Sequence, residues 1–299
     1  MIIRSTGMPD LFIHRWPGAG QPVLYINGAT FPSGLSVGYP FGGRSWADDL
    51  QAAGFDVWSF DFAGFGGSGR YSEMSAPAVA GPPLGRAPVA SAQIAAVVER
   101  IRRERGGARV HLVAHSWGTI AAGRFASECP DDVARLVFFG PIARRDAGSR
   151  PLRIGAWREV TVADQLKRFV EDVPAGHPAV LLEPALAFWG PAYLASDHGA
   201  RERTPPSVRI PGGPQADIVA AHVGEIGYDP GRVRASTLIV RGAWDRLCGN
   251  ADAAWLLSKL GSQEKADVIV PAATHLMHLE CGREGLFKAT TDWLRKGKS

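Results

Sequence analysis

Cysteine is scarce in this chain. The three present among 299 residues, Cys129, Cys248 and Cys281, are too few and too scattered for a disulfide framework or a cysteine-rich metal site. No apolar run approaches the roughly 20 residues that span a bilayer. The opening MIIRSTGMPDLF has neither the apolar core nor the cleavage pattern of a signal peptide. A reducing, cytoplasmic setting with no membrane partner is therefore expected. Concentrated charge is missing too: the net charge is +4 and the arginines are interleaved with acids. The densest basic stretch, RIRRERGGAR at 100–109, closes a helical pattern and reads as a solvated helix face, so no nucleic-acid partner is expected. Internal repeats and low-complexity tracts are also absent.

What the chain does have is 45% hydrophobic residues, enough at this length to bury a large core, and a regular alternation of short apolar runs with helical stretches. GQPVLYING (20–28), GFDVWSFDFAG (54–64), ARVHLVAH (108–115) and VARLVFFG (133–140) read as buried strands. Ser91 to Arg105 has helical spacing and is stopped by Gly106-Gly107. Near Ser236 the strands resume with STLIVRGAWD (236–245) and KADVIVPAATH (265–275), separated by the helix ADAAWLLSKL. Strand-helix alternation predicts an α/β protein with a mostly parallel central sheet and helices on both faces. From about Ala143 to Arg232 the register changes to prolines, aromatics and short helical pieces without a strong strand. That stretch reads as a mainly helical lid, 143–232, inserted after the sixth strand into a core made of 1–142 and 233–299.

The chemistry centres on LVAHSWGTIAAG, 112–123. A serine between a buried strand and a run of small residues approximates G-x-S-x-G, the turn that lifts a nucleophile above a sheet. Ala114 replaces the first glycine and adds only a methyl group; Gly118 keeps the second. A serine hydroxyl needs a base, an orienting acid and donors for the oxyanion. Downstream, TLIVRGAWD closes on Asp245 and VIVPAATH on His275.

The pieces YINGAT, DFAGFGGSG, AHSWG, GAWD and THLMHLE, in this order from Leu11 to Leu294, resemble a serine hydrolase of the α/β-hydrolase superfamily. The resemblance implies Ser116 as nucleophile, His275 as general base and Asp245 as the acid that orients it. It also implies an oxyanion hole from the backbone N–H groups of Trp117 and Ala29, with Asn27-Gly28-Ala29 where the family commonly has His-Gly-x. Some relatives carry the acid after the sixth strand, which here makes Asp146 the rival; it stands several residues past the strand end, whereas Asp245 stands at one.

Two other patterns invite different readings. GFGGSG (64–69) literally satisfies G-x-G-x-x-G, but the proline-rich RYSEMSAPAVAGPPLGRAP that follows cannot open the helix a dinucleotide site requires. His275, His278 and Glu280 fit no standard zinc spacing, so His278 and Glu280 read as packing or supporting residues. His115 is expected to point away from the reaction. No cofactor or metal is called for.

The substrate is expected to be a small molecule. Candidate pocket residues are Phe31, Tyr39 and Phe41, from the long loop TFPSGLSVGYPFGGRS, and Trp157, Phe188, Trp189 and Tyr193 from the lid, which also carries Phe169. Lid arginines and acids nearly balance, so no charged substrate is indicated. The expected activity is hydrolysis of an ester or thioester of a largely apolar compound through an acyl-enzyme. C–C bond hydrolases and cofactor-free haloperoxidases share the triad and remain alternatives, as does a ligand receptor without turnover. An aminopeptidase fits less well, because the loop reads NGATF rather than Gly-Gly-Pro.

Overall fold

A computed structural model describes residues 1–4, 7–146, 148, 153–181 and 183–296. In chain order the strands are β1 (Ile2–Ile3), β2 (Leu11–Trp16), β3 (Pro22–Ile26), β4 (Asp56–Phe60), β5 (Val110–His115), β6 (Val133–Phe139), β7 (Trp157–Thr161), β8 (Ser207–Pro211), β9 (Ser236–Gly242) and β10 (Lys265–Val270). The helices are α1 (Trp46–Ala52), α2 (Ala87–Glu104), α3 (Gly118–Glu128), α4 (Val162–Val170), α5 (Glu183–Ala195), α6 (Gly213–His222), α7 (Asn250–Lys259) and α8 (Glu284–Arg295). Eight strands form one sheet in the order β1-β2-β4-β3-β5-β6-β9-β10. It is antiparallel only where β2 meets β1 and β4, and parallel across β4, β3, β5, β6, β9 and β10.

The strand sequences explain the layering. Side chains alternate between the faces of a pleated strand, and here both faces are apolar, as a sheet covered on both sides requires. Val23, Tyr25, Val113, Val137, Phe139, Leu238 and Val240 pack with Trp46 and Leu50 of α1 and with Leu286, Phe287 and Trp293 of α8. The alternate residues Leu24, Ile26, Leu112, Ala114, Leu136, Phe138 and Ile239 pack with α2, α3 and α7 on the other face. Trp46 stacks on Phe287 at 5.1 Å; truncating a buried ring of this kind costs about 3–5 kcal/mol.

Helix α2 begins four residues before the expected Ser91. Pro88 suits its first turn, and the carboxylate of Asp217, on α6, accepts from Ala87 N–H at 2.7 Å and so caps it from outside. Its end falls at the predicted glycines, where Gly107 N–H returns to Arg102 C=O.

Between β6 and β9 the chain builds α4, α5 and α6, as the helical reading anticipated, but it also pairs β7 with β8 as a two-stranded antiparallel ribbon. Neither strand has a local signature, because each is five residues long and about 45 residues of chain separate the two. Among the described residues no helix is long and apolar enough to cross a membrane.

Candidate active site

At the end of β5 the chain turns sharply into α3, with Ser116 at the apex. Its φ of +56° is left-handed, an unusual conformation for a residue with a side chain and one associated with functional sites. The turn is fixed by Ser116 N–H donating to Phe139 C=O, and by Thr119 N–H and Oγ both donating to Ser116 C=O. A Cβ on Gly118 would lie 2.4 Å from the Asn27 carbonyl oxygen, so the small residue at that position is required by the approach of helix to strand. Ala114 is fully buried within the sheet, where its methyl fits without displacement.

Three side chains meet above the sheet. His275 Nε2 lies 2.8 Å from Ser116 Oγ, and His275 Nδ1 lies 2.9 Å from Asp245 Oδ2. The other carboxylate oxygen of Asp245 accepts from Leu247 N–H and Cys248 N–H, each at 2.9 Å. Burial pushes the Asp245 carboxyl up, but His275 and the two amides outweigh it and hold the group below its ordinary value. With a proton on Nδ1 shared with Asp245, the Nε2 lone pair faces the serine hydroxyl. Neither Asp245 nor His275 lies within its strand: each sits in the loop that follows, and the loops are tied by Trp244 N–H donating to Ala273 C=O. Asp146 is absent from the cluster; its largely exposed carboxylate pairs with Arg144.

Residues the sequence reading treated as supporting hold this arrangement. The Glu280 carboxyl accepts from Thr274 N–H at 3.3 Å and from Thr274 Oγ, bracing the residue before His275. Burial raises the Glu280 carboxyl to about 7. His278 Nε2 meets Ser36 Oγ at 3.0 Å, and Ser36 Oγ meets Tyr25 Oη at 2.6 Å. Burial, helped by the neighbouring His275, lowers His278 to about 3, so its ring is neutral. His115 does not turn away as expected: it lines the cavity, its Nε2 lies 3.1 Å from His275 C=O, and burial keeps it neutral as well. Gly140, which no motif marks, packs against His275 and Asp245. At φ +52°, a Cβ there would stand 2.9 Å from His275 Nδ1 and 3.0 Å from Asp245 Oδ2.

Ser116 and His275 open onto a cavity of about 280 Å³. Gly28, Ala29 and Thr30 form its edge next to the serine, and a Cβ on Gly28 would lie 3.3 Å from Ser116 Cβ. The Asn27 amide donates to Gly28 C=O and Phe31 C=O at 3.1 Å each and shapes this turn. Among the described residues, neither Ala29 N–H nor Trp117 N–H has an intramolecular acceptor. The lining is mixed: Phe31, Phe169, Ile218, Val219, Leu247 and Leu276 are apolar, and Arg158, Gln165, Arg168 and Gln215 are polar.

Most of the aromatic pocket candidates are elsewhere. Phe31 lines the cavity, as does Phe169. Trp189 and Tyr193 form a second layer behind them: Trp189 packs edge-on against both rings and donates to Leu35 C=O, while Tyr193 Oη donates to Thr30 C=O. Phe188, the next residue on α5, is 74% exposed. Tyr39 packs on the buried Phe41, away from the cavity. Trp157 donates to Ala76 C=O and lies under the Arg209 guanidinium. Aromatic character alone does not say which of these side chains is buried or which wall it joins, because that depends on helix rotation and loop path.

The GFGGSG loop binds its own protein rather than presenting a nucleotide cradle. The Asp61 carboxylate accepts from Ser33 N–H, Ser33 Oγ and Gly67 N–H, linking this loop to the one that follows Ala29. Among the described residues no cluster of ligating side chains suits a metal ion.

Several solved structures share the fold. The N-formylmaleamic acid deformylase of Pseudomonas putida S16 is 17% identical, with TM-score 0.62 over 97% of this chain and 99% of its own. The thioesterase domain of the curacin biosynthetic pathway is 16% identical, with TM-score 0.64 over 97% of each chain. An esterase from Exiguobacterium antarcticum is 15% identical, with TM-score 0.62 over 99% of each. No curated protein sequence matches significantly. The family model described as serine aminopeptidase, S33, matches residues 44–282. The chain is therefore a hydrolase that belongs to the S33 serine aminopeptidase family of α/β-hydrolases.

Proposed function

We propose that the protein hydrolyses a carboxylic ester or thioester of a small to medium compound through an acyl-enzyme on Ser116. The observation that carries this reading is the unbroken hydrogen-bond chain from Ser116 through His275 to Asp245 at the wall of a closed-in cavity. Ser116 Oγ attacks the carbonyl carbon while His275 Nε2 takes its proton, and Asp245 stabilises the imidazolium that forms. Ala29 N–H and Trp117 N–H donate to the oxyanion, an interaction for which losing one donor costs about 3 kcal/mol of transition-state stabilisation. His275 then protonates the leaving alcohol or thiol, and a water activated by the same ring releases the acid. No cofactor or metal has a role in these steps. Residues 143–232 act as the lid, because Arg158, Gln165, Phe169, Gln215 and Ile218 from that segment close the cavity over the serine.

The cavity argues against an aminopeptidase activity for this member of the family. Such a substrate brings a free ammonium group, and this pocket offers it two arginines instead of a carboxylate. C–C bond cleavage and cofactor-free halide oxidation use the same triad and are separated by substrate panels.

The test is a fluorophosphonate probe followed by peptide mass analysis, with Ser116→Ala as control. A single adduct on Ser116, together with multiple turnovers on esters of graded chain length and a loss on the order of a thousandfold or more in Ser116→Ala, is the expected result. Absence of the adduct in folded wild-type protein overturns the reading and favours a receptor on the hydrolase fold.

A further inference from the structure

The cavity lining holds a cation, Arg158, that has no ion-pair partner among the described residues. Strand β7 reads Trp-Arg-Glu-Val-Thr, and in sequence Arg158 seems matched by Glu159. The pleat separates them. Arg158 lies opposite Ile210, and Val160 lies opposite Val208, so Arg158 shares the inward face of the ribbon with three buried aliphatic side chains. Glu159 points the other way and pairs with Arg209 at 3.1 Å and Arg203 at 3.5 Å. The next acid, Asp164, is spent on the N-terminus of α4, where it accepts from Thr161 N–H and Oγ at 2.9 and 2.7 Å.

Among the described residues no carboxylate lies within ion-pairing distance of Arg158, and its Nε is buried without a partner. Burial, joined by the neighbouring Arg168 cation, holds the Arg158 guanidinium below its ordinary value against the opposing pull of Tyr193 and the more distant Asp164. Arg168, by contrast, is paired with Glu171 at 3.0 Å and partly exposed. Gln165 is also occupied, exchanging hydrogen bonds with Thr30 Oγ and Thr30 C=O. A half-buried guanidinium without a hydrogen-bond partner carries a desolvation cost that a ligand can answer, and a planar oxyanion is the group its fork matches.

We propose that the substrate carries a carboxylate, or another planar oxyanion, on the part that enters the cavity, and that Arg158 is the residue that selects it. The inference rests on the ester-hydrolase reading for the bond that is cut, but not for the anion site itself. The apolar lining residues Phe31, Phe169, Ile218 and Val219 take the carbon chain between the two ends, so the compound is an amphipathic acid ester rather than a wholly apolar one. The balance of arginines and acids along the segment hides this, because pairing is decided face by face.

Two measurements test it. In the first, p-nitrophenyl monoesters of linear dicarboxylic acids are compared with p-nitrophenyl esters of the matching monocarboxylic acids. At one chain length wild-type kcat/KM should favour the acid-terminated ester by about tenfold to a hundredfold. Arg158→Met should lose that preference, its fold checked independently by a circular-dichroism spectrum and urea midpoint like those of wild type; Arg158→Lys should keep part of it. In the second, calorimetry follows monomethyl and dimethyl esters of the same diacids binding to Ser116→Ala protein, with and without Arg158→Met. Tighter binding of the monomethyl ester, lost with Arg158→Met, supports the anion site whatever bond is cut. Ester turnover without acid preference at any chain length overturns the inference and leaves the hydrolase reading standing, as does a preference that survives Arg158→Met. An unlabelled Ser116 with acid-selective binding does the reverse.

Discussion

Gly140→Ala is the most informative single perturbation, because it adds one carbon against His275 and Asp245 without removing any functional group. The glycine follows β6, and its N–H donates to Val240 C=O at 2.8 Å, so the backbone there is locked into the sheet and cannot swing away. Holding an alanine at φ +52° costs about 1–2 kcal/mol. The new Cβ, at 2.9 Å from His275 Nδ1 and 3.0 Å from Asp245 Oδ2, adds an overpacking cost of about 1–3 kcal/mol. Total destabilisation of about 2–5 kcal/mol is therefore expected, read as a lower urea midpoint. The imidazole, being the more mobile neighbour, yields first, and a displacement of about 1 Å at the reacting group lowers rate on the order of a hundredfold. The rate of fluorophosphonate labelling of Ser116, measured at a temperature where both proteins are fully folded, reads that loss without a substrate. Labelling at the wild-type rate in a destabilised Gly140→Ala protein would refute the argument that this glycine keeps the dyad in register.

Two further perturbations address the supports of the site. The Glu280 carboxyl binds its proton more tightly folded than unfolded, with its value raised from 4.5 to about 7; its contribution to stability is thus present below pH 4.5 and is lost as pH rises through 7. Glu280→Gln should flatten that decline by up to about 3 kcal/mol, seen as a smaller drop in urea midpoint between mildly acidic and mildly alkaline buffer than in wild type. Asp217 accepts from Arg86 Nε, Ala87 N–H and Trp117 Nε1 at 2.7, 2.7 and 3.0 Å. Asp217→Ala leaves these donors unanswered, and should cost about 3 kcal/mol by chemical denaturation and slow Ser116 labelling, because the residue beside the nucleophile loses its anchor.

The sequence by itself determined the class of fold and the places where chemistry could occur. Alternating apolar runs and helical periods specify a parallel sheet covered on both faces, since local pattern directly reflects which faces are buried. Ser116, Asp245 and His275 were visible in order because each follows a strand, and parallel strands deliver their C-terminal loops to the same edge. The short distances between them came only with the tertiary structure. So did the roles of Gly140 and Asp217, whose partners lie about 100 residues away in sequence and leave no local signal. Trp189 and Phe188 are adjacent, yet one is buried behind the pocket and the other is in solvent, because helix packing selects a face that composition does not. Arg158 and Glu159 follow the same logic in a strand. As neighbours in the chain they look like a neutral pair; the pleat turns one toward solvent-side arginines and the other, unpaired, into the cavity.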